Sequence, residues 1–117
     1  MKIKTNEASD VVLDGMVAKC EGKNGVLHDD GITRCIVIAT ASGVYKGTWK
    51  PSFNWSQGGP IIERENIALY PHGDGTYEAE VFLNPKRGAG PTPLIAAMRC
   101  YVASKLGEEV EVPDEPI

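Results

Sequence analysis

Thr92-Pro93-Leu94-Ile95-Ala96-Ala97-Met98-Arg99-Cys100-Tyr101-Val102-Ala103-Ser104-Lys105-Leu106-Gly107 carries its own start and stop signals as a helix, and the rest of the chain has to be arranged around it. Thr92 offers a side-chain oxygen to the free N–H groups of a first turn. Pro93 suits that turn, where a missing N–H costs nothing. Gly107 can end the helix. Between them Leu94, Ile95, Met98, Tyr101 and Val102 form a broad apolar stripe flanked by Ala96, Ala97 and Ala103, and only Arg99 and Lys105 carry charge. A helix so apolar has to be covered on most sides.

The segments that can cover it follow from periodicity. Residues 7–20 are predicted as an amphipathic helix, because Val12, Leu13, Met16, Val17 and Cys20 fall within about 140° of the helical wheel. Thr5 or Asn6 is expected to cap it, and Gly22 to end it. Gly22–Gly25 and His28-Asp29-Asp30-Gly31 read as turns. Arg34 to Ala41 reads as a buried strand, followed through Ser42-Gly43 by a second strand near Val44 to Trp49. Lys50 to Gly59 reads as a loop, and Pro60 opens a short helix through about Glu65. Ile67–Tyr70 and Tyr77–Leu83 are strands around a Gly-rich turn, Asn84–Pro91 is a second loop, and a final strand covers Glu109–Val112. The sum is α+β: a small single-domain sandwich, an antiparallel sheet with about three helices packed on it. Residues 1–112 form the domain, and 113–117 a loose acidic tail that folding does not need.

Composition narrows the function classes. The 117 residues are 42% hydrophobic and 24% charged, with no apolar run near the roughly 20 residues of a membrane span. The opening residues Met1 to Glu7 lack the apolar core of a secretory signal, so an intracellular, soluble protein is expected. Net charge is −4, yet five of the 16 acids sit in the last ten residues, leaving 12 bases against 11 acids in the body. The bases are scattered, as in Lys2/Lys4, Lys86/Arg87 and Arg99, without the stripe that phosphate backbones require, so nucleic acid is not the expected partner. Cys20, Cys35 and Cys100 form no C-x-x-C, and only His28 and His72 are available beside them. Reduced, inert thiols are expected, with neither metal nor cofactor.

Four groups of residues, and Arg99 by itself, remain as chemistry. His28-Asp29-Asp30 has metal-ligand side chains in a turn, and turn structure accounts for it better than a metal does. Glu63 and Glu65 would diverge by about 200° on a helix, too far to act on one bond. Lys86 to Thr92 combines two cations and glycines ahead of a helix, which favours an anion, but Pro91 and Pro93 delete donors, so a solvated connection is expected and a phosphate site is the alternative. Trp49, Phe53 and Trp55, followed by Ser56-Gln57-Gly58-Gly59, either anchor a ligand or partner, or pin a long loop to the core. Arg99 lies at the margin of an apolar helix and needs a partner. Glu63 or Glu65 is expected, with an anionic ligand beside Gln57 as the alternative.

Trp55 to Glu65 and Gly90 to Gly107, together with Lys2 to Thr5 and Ala18 to Gly22, resemble the NinX-type proteins. These are small accessory proteins from the nin region of lambdoid and related bacteriophages and prophages. More loosely, the order of helices is similar to the phage ABA-sandwich domain. The resemblance implies an early phage protein in the cytoplasm of the infected or lysogenic bacterium, and it supplies no reaction and no catalytic residue. The expected function is therefore a non-enzymatic binding module engaging a host or phage protein, with a second copy of the chain also among its partners. The second reading is a small-ligand site, nucleotide-like or anionic, between the aromatic loop and the start of the last helix. The third is a weak hydrolase using Glu63 or His28. Trp55, Ser56, Gln57, Glu63, Arg64, Thr92 and Arg99 are the candidate site residues, and none is assigned a catalytic role.

Overall fold

The computed structural model describes residues 2–39 and 45–111. The elements run β1 (Lys2–Lys4), a 3-10 turn (Thr5–Glu7), α1 (Asp10–Cys20), β2 (Gly25–Asp29), β3 (Arg34–Ala39), β4 (Tyr45–Trp49), α2 (Trp55–Glu65), β5 (Ile67–Pro71), β6 (Tyr77–Val81), β7 (Arg87–Gly90), α3 (Pro93–Leu106) and β8 (Glu109–Glu111). All pairings are antiparallel, in three sheets: β1–β8, β2–β3–β4 and β5–β6–β7. The α+β class and the three packed helices are as the sequence predicts. The strands, however, divide among several sheets instead of forming one.

α3 is the centre of the molecule. Thr92 Oγ1 accepts the N–H of Ile95, and Gly107, at φ 96°, takes the conformation that ends the helix. Leu94, Ala96, Ala97, Met98, Cys100, Tyr101, Val102 and Ala103 are all buried. α3 packs on the β5–β6–β7 sheet, while α1 lies beside α3 and packs on β2 and β3. Both helices are therefore apolar on more than one face. A Cβ on Gly88 would stand 2.4 Å from Ala96 O and Cys100 N, so the glycine lets sheet and helix approach to backbone contact.

Several boundaries move. The first helix starts at Asp10, not at residue 7, because Thr5 and Asn6 are committed elsewhere. Thr5 Oγ1 donates to Gly107 O at 2.6 Å, and Asn6 Oδ1 accepts from Ala89 N at 2.7 Å, so neither caps α1. His28 and Asp29 belong to β2 and not to a turn. The turn is shorter and lies beyond them, where Asp30 Oδ1 accepts from Ile32 N and Thr33 N. The expected Asn84–Pro91 loop contains β7, whose glycines serve packing against α3. The Ser42-Gly43 turn, the end of the last strand at Val112 and the acidic tail lie outside the described residues.

Candidate functional site

The segment between β4 and α2 builds the most distinctive surface. α2 begins at Trp55, not at Pro60, so Trp55, Ser56 and Gln57 form its first turn. Asn54 caps it: its Oδ1 accepts from Ser56 N at 2.8 Å and from Ser56 Oγ at 2.5 Å. Gln57 reaches back to the β4 end, where Nε2 donates to Thr48 O at 2.8 Å and Oε1 accepts from Lys50 N at 2.7 Å. One amide thus takes up two backbone groups that an edge strand would leave bare. Pro51 is buried, and a Cβ on Gly58 would lie 2.4 Å from Pro51 O, so loop and helix touch backbone to side.

This frame displays two rings. Phe53 is 81% exposed and Trp55 54%, whereas Trp49 is buried, with Lys23 Nζ 5.1 Å from its ring centroid. The aromatic cluster therefore splits: Trp49 pins the segment to the core, and the other two face solvent. A groove of about 440 Å³ is lined by Thr48, Lys50, Phe53, Asn54, Trp55 and Gln57. A second cleft, of about 380 Å³, shares Lys50 and Phe53 and contains Asp14 and Ser52. Asp14 is buried and accepts from Ser52 N at 3.0 Å. Burial pushes its carboxyl above the ordinary aspartate range, and the Ser52 hydrogen bonds oppose that rise.

The other candidate residues lie elsewhere. Arg64, at the end of α2, is bidentate to Glu21, with Nη1–Oε1 3.0 Å and Nη2–Oε2 2.5 Å, and its Nε donates to Glu65 at 2.8 Å. The Tyr101 hydroxyl donates to Glu21, and Lys105 Nζ stands 3.2 Å from Glu65. The Arg64 guanidinium holds the carboxyls of Glu21 and Glu65 below the usual glutamate range, with burial acting against it. The Tyr101 hydroxyl is pushed up, first by burial and then by Glu21. This network ties the ends of all three helices together. Glu63 is exposed and takes no part in it.

Arg99 does not pair with Glu63 or Glu65. Its Nε donates to Ala8 O and its Nη1 to Ala89 O, both at 2.7 Å. Burial, only partly opposed by Glu7, lowers its pKa. Carbonyls can satisfy the guanidinium here because the outer edge of β7 and the turn before α1 both face it. Thr92 is spent on its cap. Neither residue is among those that line the aromatic groove. Sequence reasoning did not find Glu21 and Tyr101 as partners of Arg64, since they lie 43 and 37 positions away. Asn54 is a residue type that caps helices, but Pro60 reads as a first helical position and draws the predicted start away from it.

Among the described residues, no group of three or more His, Cys, Asp or Glu side chains is gathered to hold a metal ion. His28 and His72 lie on separate hairpins, near Asp30 and Glu78 respectively. No helix among these residues is long and apolar enough to cross a membrane. No curated protein matches the sequence. The family model described as bacteriophage P22 NinX matches residues 4–105, which span α1, α2, the strands β2 to β7 and all of α3 but its last residue, and the chain belongs to that phage family.

Proposed function

We propose that the chain is a non-enzymatic docking module that engages a host or phage protein through Phe53 and Trp55. The observation that carries this reading is the pairing of two solvent-facing rings with a fixed frame. Large aromatics are the usual anchors of protein interfaces, because each removes much apolar surface from water when it enters a partner's pocket. Asn54, Gln57 and Gly58 hold the backbone beneath them, so little ordering is left to be done on association. Glu21 is meanwhile held in structural contacts with Arg64 and Tyr101, and Asp14 with Ser52. A small anionic ligand is the second reading, favoured by Lys50, which borders both clefts.

A photo-crosslinking amino acid at position 53, and the same residue at exposed His72, would be compared in infected cells at native expression. Docking gives a discrete protein adduct from position 53 that Trp55→Ala weakens, and no matching adduct from position 72. Equal adducts from both positions, or none from 53, overturn the reading. Stabilisation by a nucleotide panel that Lys50→Ala abolishes would favour the small ligand instead.

A further inference from the structure

The edge of the β5–β6–β7 sheet points to a second surface. In the β5–β6 pairing Ile67 lies opposite Val81 and Leu69 opposite Ala79. Phe82 N donates to Asn66 O just before this ladder, and His72 N donates to Thr76 O just after it. Antiparallel pairs alternate between bonded and non-bonded. The even residues of β5 therefore turn their backbone groups to β6, while Ile67, Leu69 and Pro71 turn theirs outward. The alternation holds across the sheet: on β7, Ala89 points its N–H at Asn6 and its C=O at Arg99.

Edge strands are ordinarily blunted by charge, irregularity or a covering group. Here β7 is covered by Asn6 and Arg99, and the end of β4 by Gln57. β1 carries Lys2 and Lys4, β8 carries Glu109 and Glu111, and β2 carries His28 and Asp29. β5 is Ile67-Ala68-Leu69-Tyr70-Pro71, with no charged residue, and its ladder with β6 is regular. Among the described residues, no strand pairs with its outer side.

We infer that β5 pairs antiparallel with β5 of a second copy, about a two-fold axis at Leu69. The two Leu69 residues then exchange both of their backbone hydrogen bonds, and Ile67 N–H of each copy donates to the Pro71 carbonyl of the other. Only the proline position lacks a donor, and it falls at the end of the ladder, where a strand tolerates it. The outer-face side chains agree with this register. Ala68 comes directly opposite the partner's Tyr70 as a non-bonded pair, the closer kind. Ala68 also lies in a groove of about 570 Å³ that Tyr70, Phe82 and Glu80 help to line. Phe82 is 71% exposed and Tyr70 44%, so apolar surface borders the small-residue gap at Ala68, with the Tyr70 hydroxyl held by Glu80 of the same copy. Glu80 is already matched by Arg87 and by the Tyr70 hydroxyl, and Glu78 lies 3.7 Å from His72. Acidic charge on this face is thus met within each copy. A two-fold pairing is preferred over a foreign strand because the edge is self-complementary in hydrogen bonding about Leu69 and brings no charged β5 residue against its copy.

A five-residue strand pair is small beside the roughly 800 Å² per partner of a standard interface, so association has to depend on concentration. Sedimentation equilibrium over a hundredfold concentration range, up to about 500 µM, reads it directly. The mean mass is expected to climb from 12.6 kDa toward twice that value. Tyr70→Lys should hold the monomer mass throughout while melting at an unchanged temperature, and Phe53→Ala should leave the association intact. The register has its own readout. Ala68→Cys and Tyr70→Cys chains, mixed and mildly oxidised, should form a mixed disulfide dimer several-fold faster than either alone. A monomer at every concentration overturns the inference, as does association that Tyr70→Lys leaves unchanged. Ala68→Cys cross-linking to itself as readily as in the mixture overturns the axis at Leu69.

Discussion

Replacing Arg64 by alanine tests whether the charge network at the helix ends stabilises the fold. Arg64 makes three hydrogen bonds to carboxylates, two to Glu21 and one to Glu65. A hydrogen bond to a charged group contributes about 1.5–3 kcal/mol when buried, whereas an exposed ion pair gives about 0.2–1 kcal/mol. The Arg64 side chain is half exposed while those of Glu21 and Glu65 are largely covered, so the site lies between the two limits. Screening at the arginine removes most of the upper figure, and Lys105 still serves Glu65 afterwards. The expected loss is about 2 kcal/mol at pH 7, or a melting temperature lower by roughly 8 °C for a domain of this size. The pH dependence supplies a second check. Both carboxyls have folded pKa values below their unfolded ones, so their stabilisation is complete above the ordinary glutamate pKa, and it disappears as pH falls through the lower folded values. Urea unfolding of parent and variant should therefore differ most near neutrality and converge in acid, once pH has fallen through the lowered folded values. A loss under about 0.5 kcal/mol at pH 7 would refute the account. So would a gap that persists undiminished after the carboxyls are protonated.

Three further outcomes follow from single contacts. Gly88→Ala should destabilise by about 3 kcal/mol or more, since the clashing atoms are backbone of α3 and cannot rotate away; thermal unfolding reads the loss, and a shift under 2 °C would contradict the geometry. Asp14→Asn should raise the melting temperature near pH 8, because the folded carboxyl titrates above its unfolded value and its ionised form is disfavoured in the fold. The fold's preference for the protonated form is fully expressed only in acid, so the advantage of Asn should shrink as pH falls, and a constant difference from pH 4 to 8 would contradict the sign. Arg99→Ala gives up two charge-assisted bonds to carbonyls and should cost about 2 kcal/mol, with Arg99→Lys recovering only part, because one ammonium does not reproduce the fork between Ala8 and Ala89. Denaturant titration of the pair would expose a purely electrostatic role if lysine restored the whole loss.

The parts of the fold that were legible in the sequence are those whose signals are local. α3 is bounded by Thr92, Pro93 and Gly107, each acting within one turn of its own position, and the structure keeps those bounds. Where reading failed, the residue was often a glycine. Gly58 and Gly59 read as loop residues, yet they lie inside α2; Gly88 and Gly90 read as part of a connection, yet they belong to β7. Glycine has two uses, freedom of backbone angle and absence of a Cβ, and the sequence does not say which is in force. At Gly58 and Gly88 it is the second, decided by Pro51 and by α3, which arrive from elsewhere in the chain. Arg99 failed for a related reason. An arginine on an apolar helix needs acceptors, but carbonyls at an outward-facing strand edge serve as well as carboxylates, and that edge exists only after β7 has formed.

The distribution of polar groups also bears on what kind of protein this is. General acid–base work needs titratable groups with shifted pKa values that converge on open space. At the helix ends Glu21 and Glu65 converge on Arg64 and the Tyr101 hydroxyl on Glu21, whereas Asp14, bonded to Ser52, lines the cleft beside Lys50. Burial raises the thiols of Cys20 and Cys100 to about 11, so at neutral pH they are protonated and poor nucleophiles. The apolar groups behave in the opposite way. With the core already filled around α3, Phe53, Trp55, Tyr70 and Phe82 remain in solvent, and they lie in two separate places: Phe53 and Trp55 at the start of α2, Tyr70 and Phe82 beside the β5 edge. Exposed aromatic surface of this kind is what the proposed docking role draws on. Two separate surfaces further allow one copy to hold a partner while it is joined to another copy, so each dimer would present two docking sites. That geometry adds avidity for a partner with repeated sites, with no new contact needed. If both surfaces work as argued, Tyr70→Lys should weaken capture of a multivalent partner about as strongly as Trp55→Ala does, and leave binding of a single isolated partner domain unchanged.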